Sequence, residues 1–185
     1  MTVPVSPFEY AARVFERGHR WMHDPVRWVT ECVGFDPGGG LTPYQADILQ
    51  AIPQRRRVAV RAPHGAGKTG TVAQAILWFA ITREAAGIDW KVITTASAWR
   101  QLTLYLWPEV HKWAGKLRWD VAGLAPFTGR QLLDLHLKLP HGIAAAAASD
   151  QSSSIEGAHA DSILYVFDEA KAIPAAMFDA AEGAF

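Results

Sequence analysis

The sequence predicts an α/β fold, a parallel central sheet flanked by helices, on three observations. Short apolar runs at Val58–Val60, Trp90–Thr94 and Ser162–Phe167 have the length and composition of buried strands. The first two are each followed by residues with helical spacing, and strand, helix, strand, helix is the opening of a layered α/β domain. The first run also feeds a small-residue loop ending in Gly67-Lys68-Thr69, and the third ends in two adjacent carboxylates, Asp168 and Glu169.

Bulk composition sets the frame for these elements. A chain of 185 residues, half of them apolar, can bury one substantial core. Its formal net charge of zero gives no general attraction to nucleic acid or membrane, so DNA binding would need a local basic patch or another subunit. The single cysteine, Cys32, rules out an intramolecular disulfide and suits a reducing compartment. No apolar run approaches the length of a membrane span, and the first residues lack the pattern of a secretory signal. The eight tryptophans are expected mainly as core or interface anchors, with base stacking as the sharper alternative.

Along the chain, residues 7–30 alternate apolar positions with Arg13, Arg17, Arg20 and Arg27, as one or two amphipathic helices that present a solvated face over a packed stripe or, alternatively, serve as a docking arm. Asp36-Pro-Gly-Gly-Gly40 breaks that pattern and divides an N-terminal helical arm and linker, residues 1–40, from the domain proper, residues 41–185. Thr42 reads as a helix cap with Pro43 in the first turn, and that helix stops near Pro53. After Arg55-Arg-Arg57, Val58–Val60 reads as a buried strand, followed by a helix from about Gly67 to Thr82.

Trp90–Thr94 is the next strand. The helical spacing of Trp99, Leu102, Leu106, Val110 and Trp113 follows it, with Pro108 expected to kink or divide that helix. Leu132 to Leu139 alternate as a strand, and Pro140-His-Gly142 as a turn. The alanines at 144–148 favour helix by propensity, but their position favours a strand. Gln151–Ile155 is a polar connection, Ser162–Phe167 a strand, and Pro174–Ala181 a closing helix.

The loop Ala62-Pro-His-Gly-Ala-Gly-Lys-Thr69 nearly matches the phosphate-loop template, with Ala62 where the template has glycine. Gly65 and Gly67 let successive amides face a phosphate without a β-carbon in the way, and the following helix adds an electropositive terminus. Pro63, His64, Gly65, Ala66, Gly67, Lys68 and Thr69 are therefore the candidate nucleotide-binding residues. Lys68 can reach the β- and γ-phosphates, and Thr69 can ligate Mg2+. Four apolar residues bring Asp168 to a strand end, where it can hold the same ion, and Glu169 can polarise an attacking water. A glycine turn with a surface lysine, or a carboxylate pair capping a helix, explains each motif separately. The two together point to ATP with Mg2+ as cofactors and to hydrolysis.

Gln45 can offer a donor and an acceptor to an adenine edge, although a solvated glutamine is the ordinary case. Arg61 beside the loop and Arg100 after the second strand can each stabilise transition-state charge, and surface pairing is the default for either. His136, His141 and His159 have no zinc-ligand spacing with Cys32.

From about residue 33 onward the chain resembles the ATPase domain of the large terminase subunit of tailed bacteriophages. The resemblance rests on Leu41-Thr-Pro-Tyr-Gln-Ala-Asp-Ile-Leu49, the phosphate loop, Val92-Ile-Thr-Thr-Ala-Ser-Ala-Trp-Arg-Gln101, and Ile155-Glu-Gly-Ala-His-Ala160 running into Val166-Phe-Asp-Glu-Ala-Lys171. It implies a P-loop NTPase of the additional-strand class that couples ATP hydrolysis to translocation of double-stranded DNA into a capsid. It also implies Gln45 as adenine sensor, Lys68 and Thr69 on phosphate and metal, Asp168 on the metal, Glu169 as catalytic base, and Arg61 as a candidate catalytic arginine.

Portal protein and small terminase subunit are the implied partners, with a homo-oligomeric ring and no membrane. The implied location is the bacterial host cytoplasm, transiently at the procapsid portal. Family members carry a further strand between the two motif strands and then a nuclease domain. Both are expected beyond Phe185, so the domain is expected to be incomplete at its C-terminus and to hydrolyse ATP slowly alone. The competing expectations are a helicase-like, nucleic-acid-stimulated ATPase and a non-catalytic assembly or DNA-docking fragment.

Overall fold

A computed structural model describes residues 18–148 and 159–183. The first part of the expected amphipathic segment, the connection at 151–155, and most of the segment preceding Ser162 lie outside the described residues. Besides a helical stretch at residues 18–23, the α-helices within them are α1 (Pro25–Cys32), α2 (Pro43–Gln54), α3 (Lys68–Ala85), α4 (Trp99–Gln101), α5 (Trp107–Gly115), α6 (Trp119–Ala122) and α7 (Ala175–Glu182). The strands are β1 (Trp90–Ala96), β2 (Leu132–Leu133), β3 (His136–Leu139), β4 (Gly142–Ala146) and β5 (Ser162–Asp168).

They form one mixed sheet in the order β2-β3-β4-β1-β5. β1 runs parallel to both β4 and β5, whereas β2–β3 and β3–β4 are antiparallel. The wholly parallel sheet read from the sequence is thus correct only for β4, β1 and β5. The run from Leu132 to Leu139 is not one strand but a tight hairpin, β2 and β3. The alanine-rich segment is β4 and packs beside β1, with Ala144 opposite Val92. Small side chains allow this close layer, and Gly142 starts it because a β-carbon there would meet the Trp90 carbonyl.

α3 is the spine. Every residue from Ala73 to Glu84 is buried, as expected for a helix apolar on all sides and enclosed by sheet and helices. At its far end the Glu84 carboxylate accepts Trp90 Nε1 (3.0 Å) and His141 N (3.1 Å), and pairs with His141 Nδ1 (2.9 Å). A single buried carboxylate therefore ties α3 to the start of β1 and to the β3–β4 turn. Arg83 beside it lies over the rings of Trp78 and Phe79 and donates to Thr82 and Ser162 hydroxyls. Burial lowers its pKa to about 10, and it remains charged at neutral pH.

Trp28, Trp78, Trp90 and Trp107 are fully buried, so at least half of the tryptophans are core anchors. Trp28, Val29, Cys32 and Val33 share that core with α3, which places the described N-terminal residues against the same hydrophobic centre. The break at Pro108 takes a particular form. A π-helical segment, Leu102–Leu106, separates α4 from α5, and Trp107 N reaches back five residues to Leu102 O. Widening the turn accommodates the missing proline N–H without ending the helical path.

One expected element is absent. Residues 57–60 adopt no strand, and Val58 and Val60 are 38% and 43% exposed. Among the described residues β5 has β1 on one edge and no strand on the other. A buried strand needs a partner for its amides and carbonyls, and this segment has none.

Candidate functional site: the glycine loop and the acidic strand end

α3 begins at Lys68 with Gly67 as its N-cap, in the left-handed region at φ 77°, and no side chain caps this end. The first amides of an eighteen-residue helix are thus left without a side-chain acceptor, which suits an anion. Gly67 is favoured by its backbone, and any larger residue there would also displace the Gln45 amide, because a β-carbon would lie 2.6 Å from Gln45 Nε2. Gly65 has the same φ but faces open space.

Lys68 folds back over the loop, its ammonium donating to the carbonyls of Ala62 and Pro63 at 2.8 Å each. Thr69 is half-buried in the first turn of α3, whereas Pro63, His64 and Arg61 are exposed and Ala66 is half-buried. Arg100 is also exposed, at the start of the helical segment after β1.

α2 supports the loop from one side. Its first turn is closed by Gln45 Oε1 accepting Thr42 N at 2.9 Å, which directs the other end of the Gln45 amide at Gly67. Gln45 thus caps its own helix and packs against the glycine loop, with its carbonyl oxygen already engaged. Tyr44 stands beside Gln45 in the first turn of α2, and its buried hydroxyl has no partner among the described residues, 3.9 Å from where a Gly67 β-carbon would stand. On the other side Gly70 lets α5 approach, because Trp113 Nε1 and Glu109 Oε2 would lie 3.2 and 3.6 Å from a β-carbon there. A glycine inside a helix was the signal for that contact.

The acidic pair comes from the carboxyl end of β5, where Asp168 stands in register with Ala96 at the end of β1. Ligand sites of parallel sheets lie at this end. Burial, followed by the charge of Glu169, pushes the Asp168 carboxyl above the ordinary range, while the Glu169 N–H and the Lys68 ammonium pull it back. Glu169 N donates to Asp168 Oδ1 at 3.2 Å, and Glu169 is exposed at φ 48°, the only non-glycine residue with positive φ among the described residues. Holding a side-chain-bearing residue there costs about 1–2 kcal/mol, a strain that clusters at functional positions.

These residues fit a magnesium–triphosphate group in kind. An uncapped helix terminus and Lys68 offer positive charge to phosphates, and Asp168, raised by burial and a like-charged neighbour, would be relieved by a cation. Among the described residues no cluster of three or more His, Cys, Asp or Glu is placed to hold a metal unaided, so phosphate and water oxygens would have to complete the shell. Together the elements define a strand-end, helix-terminus site in an α/β domain. Neither a scan against protein-family models nor a search of the curated proteins finds a match for this chain.

Proposed function

We propose that the chain binds ATP with Mg2+ at this site and hydrolyses it. The observation that carries the reading is the pairing of an α3 N-terminus that no side chain caps, opening on Lys68, with an acidic pair at the carboxyl end of β5, where ligand sites of parallel sheets lie.

In this reading the α3 amides and Lys68 hold the phosphates, Thr69 and Asp168 would hold the ion, and Glu169 positions and deprotonates water. When bound, Mg2+ neutralises phosphate charge and orients the terminal group. Lys68 exchanges its two carbonyl partners for phosphate oxygens, so binding opens the closed loop. Tyr44 and Gln45 flank the loop, with Arg61 and Arg100 free to approach the transferring group.

The resemblance to terminase large subunits extends the proposal to a motor that moves double-stranded DNA, assembled as a ring on a portal with a small subunit. No helix among the described residues is long and apolar enough to cross a membrane. A helicase-like ATPase is the second reading, favoured only by the looser shared motifs. Steady-state phosphate release with and without duplex DNA tests both. Turnover that depends on Mg2+, rises with duplex without strand separation, and falls about 10²–10⁴-fold in Glu169→Gln is the expected result. Normal turnover in Glu169→Gln would remove the assigned base, and strand separation would favour the helicase.

A further inference from the structure

A second charged cleft, of about 420 Å3, lies away from the glycine loop and is lined by Arg20, Trp21, Arg27, Glu31, Arg118 and Val121. Its lining holds three guanidinium groups and one carboxylate, an excess of two positive charges. That carboxylate is already committed: Glu31 Oε1 accepts Arg27 Nε at 2.6 Å, and Oε2 accepts Trp21 Nε1 at 2.9 Å. Arg27 is thereby oriented through its Nε, which leaves its terminal nitrogens for another acceptor. The side chains of Arg20 and Arg118 have no hydrogen-bond or ion-pair partner among the described residues.

The cleft is held in shape by the backbone. Arg118 N donates to Cys32 O at 2.7 Å, Gly34 N to Lys116 O at 2.7 Å, and Val33 bridges Leu117, so the Arg118 wall is fastened to the end of α1. The Trp21 floor is buried, and its carbonyl accepts Trp78 Nε1 from the middle of α3 at 2.6 Å. Trp78 is ten residues beyond Lys68, about 15 Å along the helix, so this cleft is separate from the glycine loop. A volume of this size falls in the range of small-ligand sites.

We propose that this cleft is a phosphate-binding site. A phosphoryl group matches the excess of two charges and offers several oxygens to planar guanidinium forks, which hold phosphate by paired hydrogen bonds. The same chemistry is presented by a small phosphorylated compound and by the backbone of a nucleic acid. For the second source the cleft is the local basic patch that a chain of zero net charge would need. The assignment stands on the cleft alone and does not depend on nucleotide binding at Lys68.

The test compares the parent with Arg20→Ala/Arg118→Ala and with Arg20→Gln/Arg118→Gln, which retains polar stems if the alanine pair folds poorly. Pyrophosphate binding is measured by calorimetry in a Lys68→Ala background, which weakens the loop site. Binding of a fluorescein-labelled duplex is measured by anisotropy from 50 to 200 mM salt in the otherwise unaltered chain.

The expected result is an at least tenfold loss of pyrophosphate affinity in either paired variant. If the backbone of DNA is the natural source, duplex affinity falls likewise and the slope of log affinity against log salt becomes shallower by about two. Loss in the pyrophosphate arm alone assigns the site to a small phosphorylated compound. Pyrophosphate binding that is absent in the parent, or equal in parent and both variants, overturns the proposal.

Discussion

Two apolar stretches of this chain meet different fates. Leu164–Phe167 lies within β5, paired with β1 residue for residue, and delivers Asp168 and Glu169 at a defined height. Val58–Val60 has the same strand-like composition but stays outside the sheet, exposed, and leads into the glycine loop without ladder hydrogen bonds. The difference is one of partners, since β1 lies beside β5 while nothing among the described residues pairs with 58–60. The acidic half of the candidate site is therefore held by the sheet, and the glycine-loop half by α2, the loop's own glycines and α3.

If the loop depends on those local supports, damage to them will exceed damage to its upstream segment. Gly67→Ala is expected to have the largest effect. It combines left-handed strain of about 1–2 kcal/mol with a clash against Gln45, and a lowered thermal midpoint with weakened nucleotide binding will report it. Gly65→Ala shares the strain but meets open space, so its loss is limited to that strain alone, about 1–2 kcal/mol. Equal losses in the two variants would mean that Gln45 does not brace the loop.

Asp168→Asn probes the other half and should raise stability in the absence of ligand. The Asp168 carboxyl is held above its ordinary value, so the folded chain binds that proton more tightly than the unfolded chain does. Stability is accordingly lost as pH rises from the ordinary carboxylate value through the raised one. The gain of Asn over Asp in thermal midpoint will be small at about pH 3 and complete at neutral pH. A pH-independent difference would mean that the strand end does not strain its carboxylate.

The smallest effect is expected at Arg57, whose guanidinium meets Glu182 of α7 at 2.6 Å. Their side chains are 70% and 48% exposed, so screening limits the pair to about 0–1 kcal/mol. Arg57→Ala should leave both the thermal midpoint and nucleotide affinity nearly unchanged. A large loss in either would show that this contact, rather than α2, anchors the approach to the loop.

The elements legible in the sequence are those with a local signal. The α2 start at Thr42-Pro43, the long apolar α3, and strands β1 and β5 follow from caps, periodicity and run length, and they lie where those signals put them. Pro108 announced a break, but its resolution as a π-helical segment depends on packing around Leu102 and Trp107. Val58–Val60 failed as a strand because pairing is a property of neighbours, which apolar composition does not encode. The β2–β3 hairpin was read as a single strand for a related reason, since alternation continues across a tight turn.

At the site, residue types were legible but their double duties were not. Gln45 looked like a free amide, yet its oxygen closes the first turn of α2. Lys68 looked like a free cation, yet it is satisfied by the Ala62 and Pro63 carbonyls. The Gln45 contact does leave a pattern, the Thr42-x-x-Gln45 spacing of a capping box, whereas the Lys68 contact leaves none. The positive φ of Glu169 was equally invisible, because the residue type itself disfavours it.

The central claim is that Lys68 and Asp168 serve one triphosphate site. The direct measurement is a double-mutant cycle: the affinity of a non-hydrolysable ATP analogue with Mg2+ for the parent, Lys68→Ala, Asp168→Asn and the double variant. Residues sharing one ligand couple by about 0.5–3 kcal/mol, whereas independent sites add within about 0.3–0.5 kcal/mol. A coupling above about 1 kcal/mol that disappears when Mg2+ is removed is the result this account predicts. Additive losses, or an Asp168→Asn affinity equal to the parent's, would contradict it.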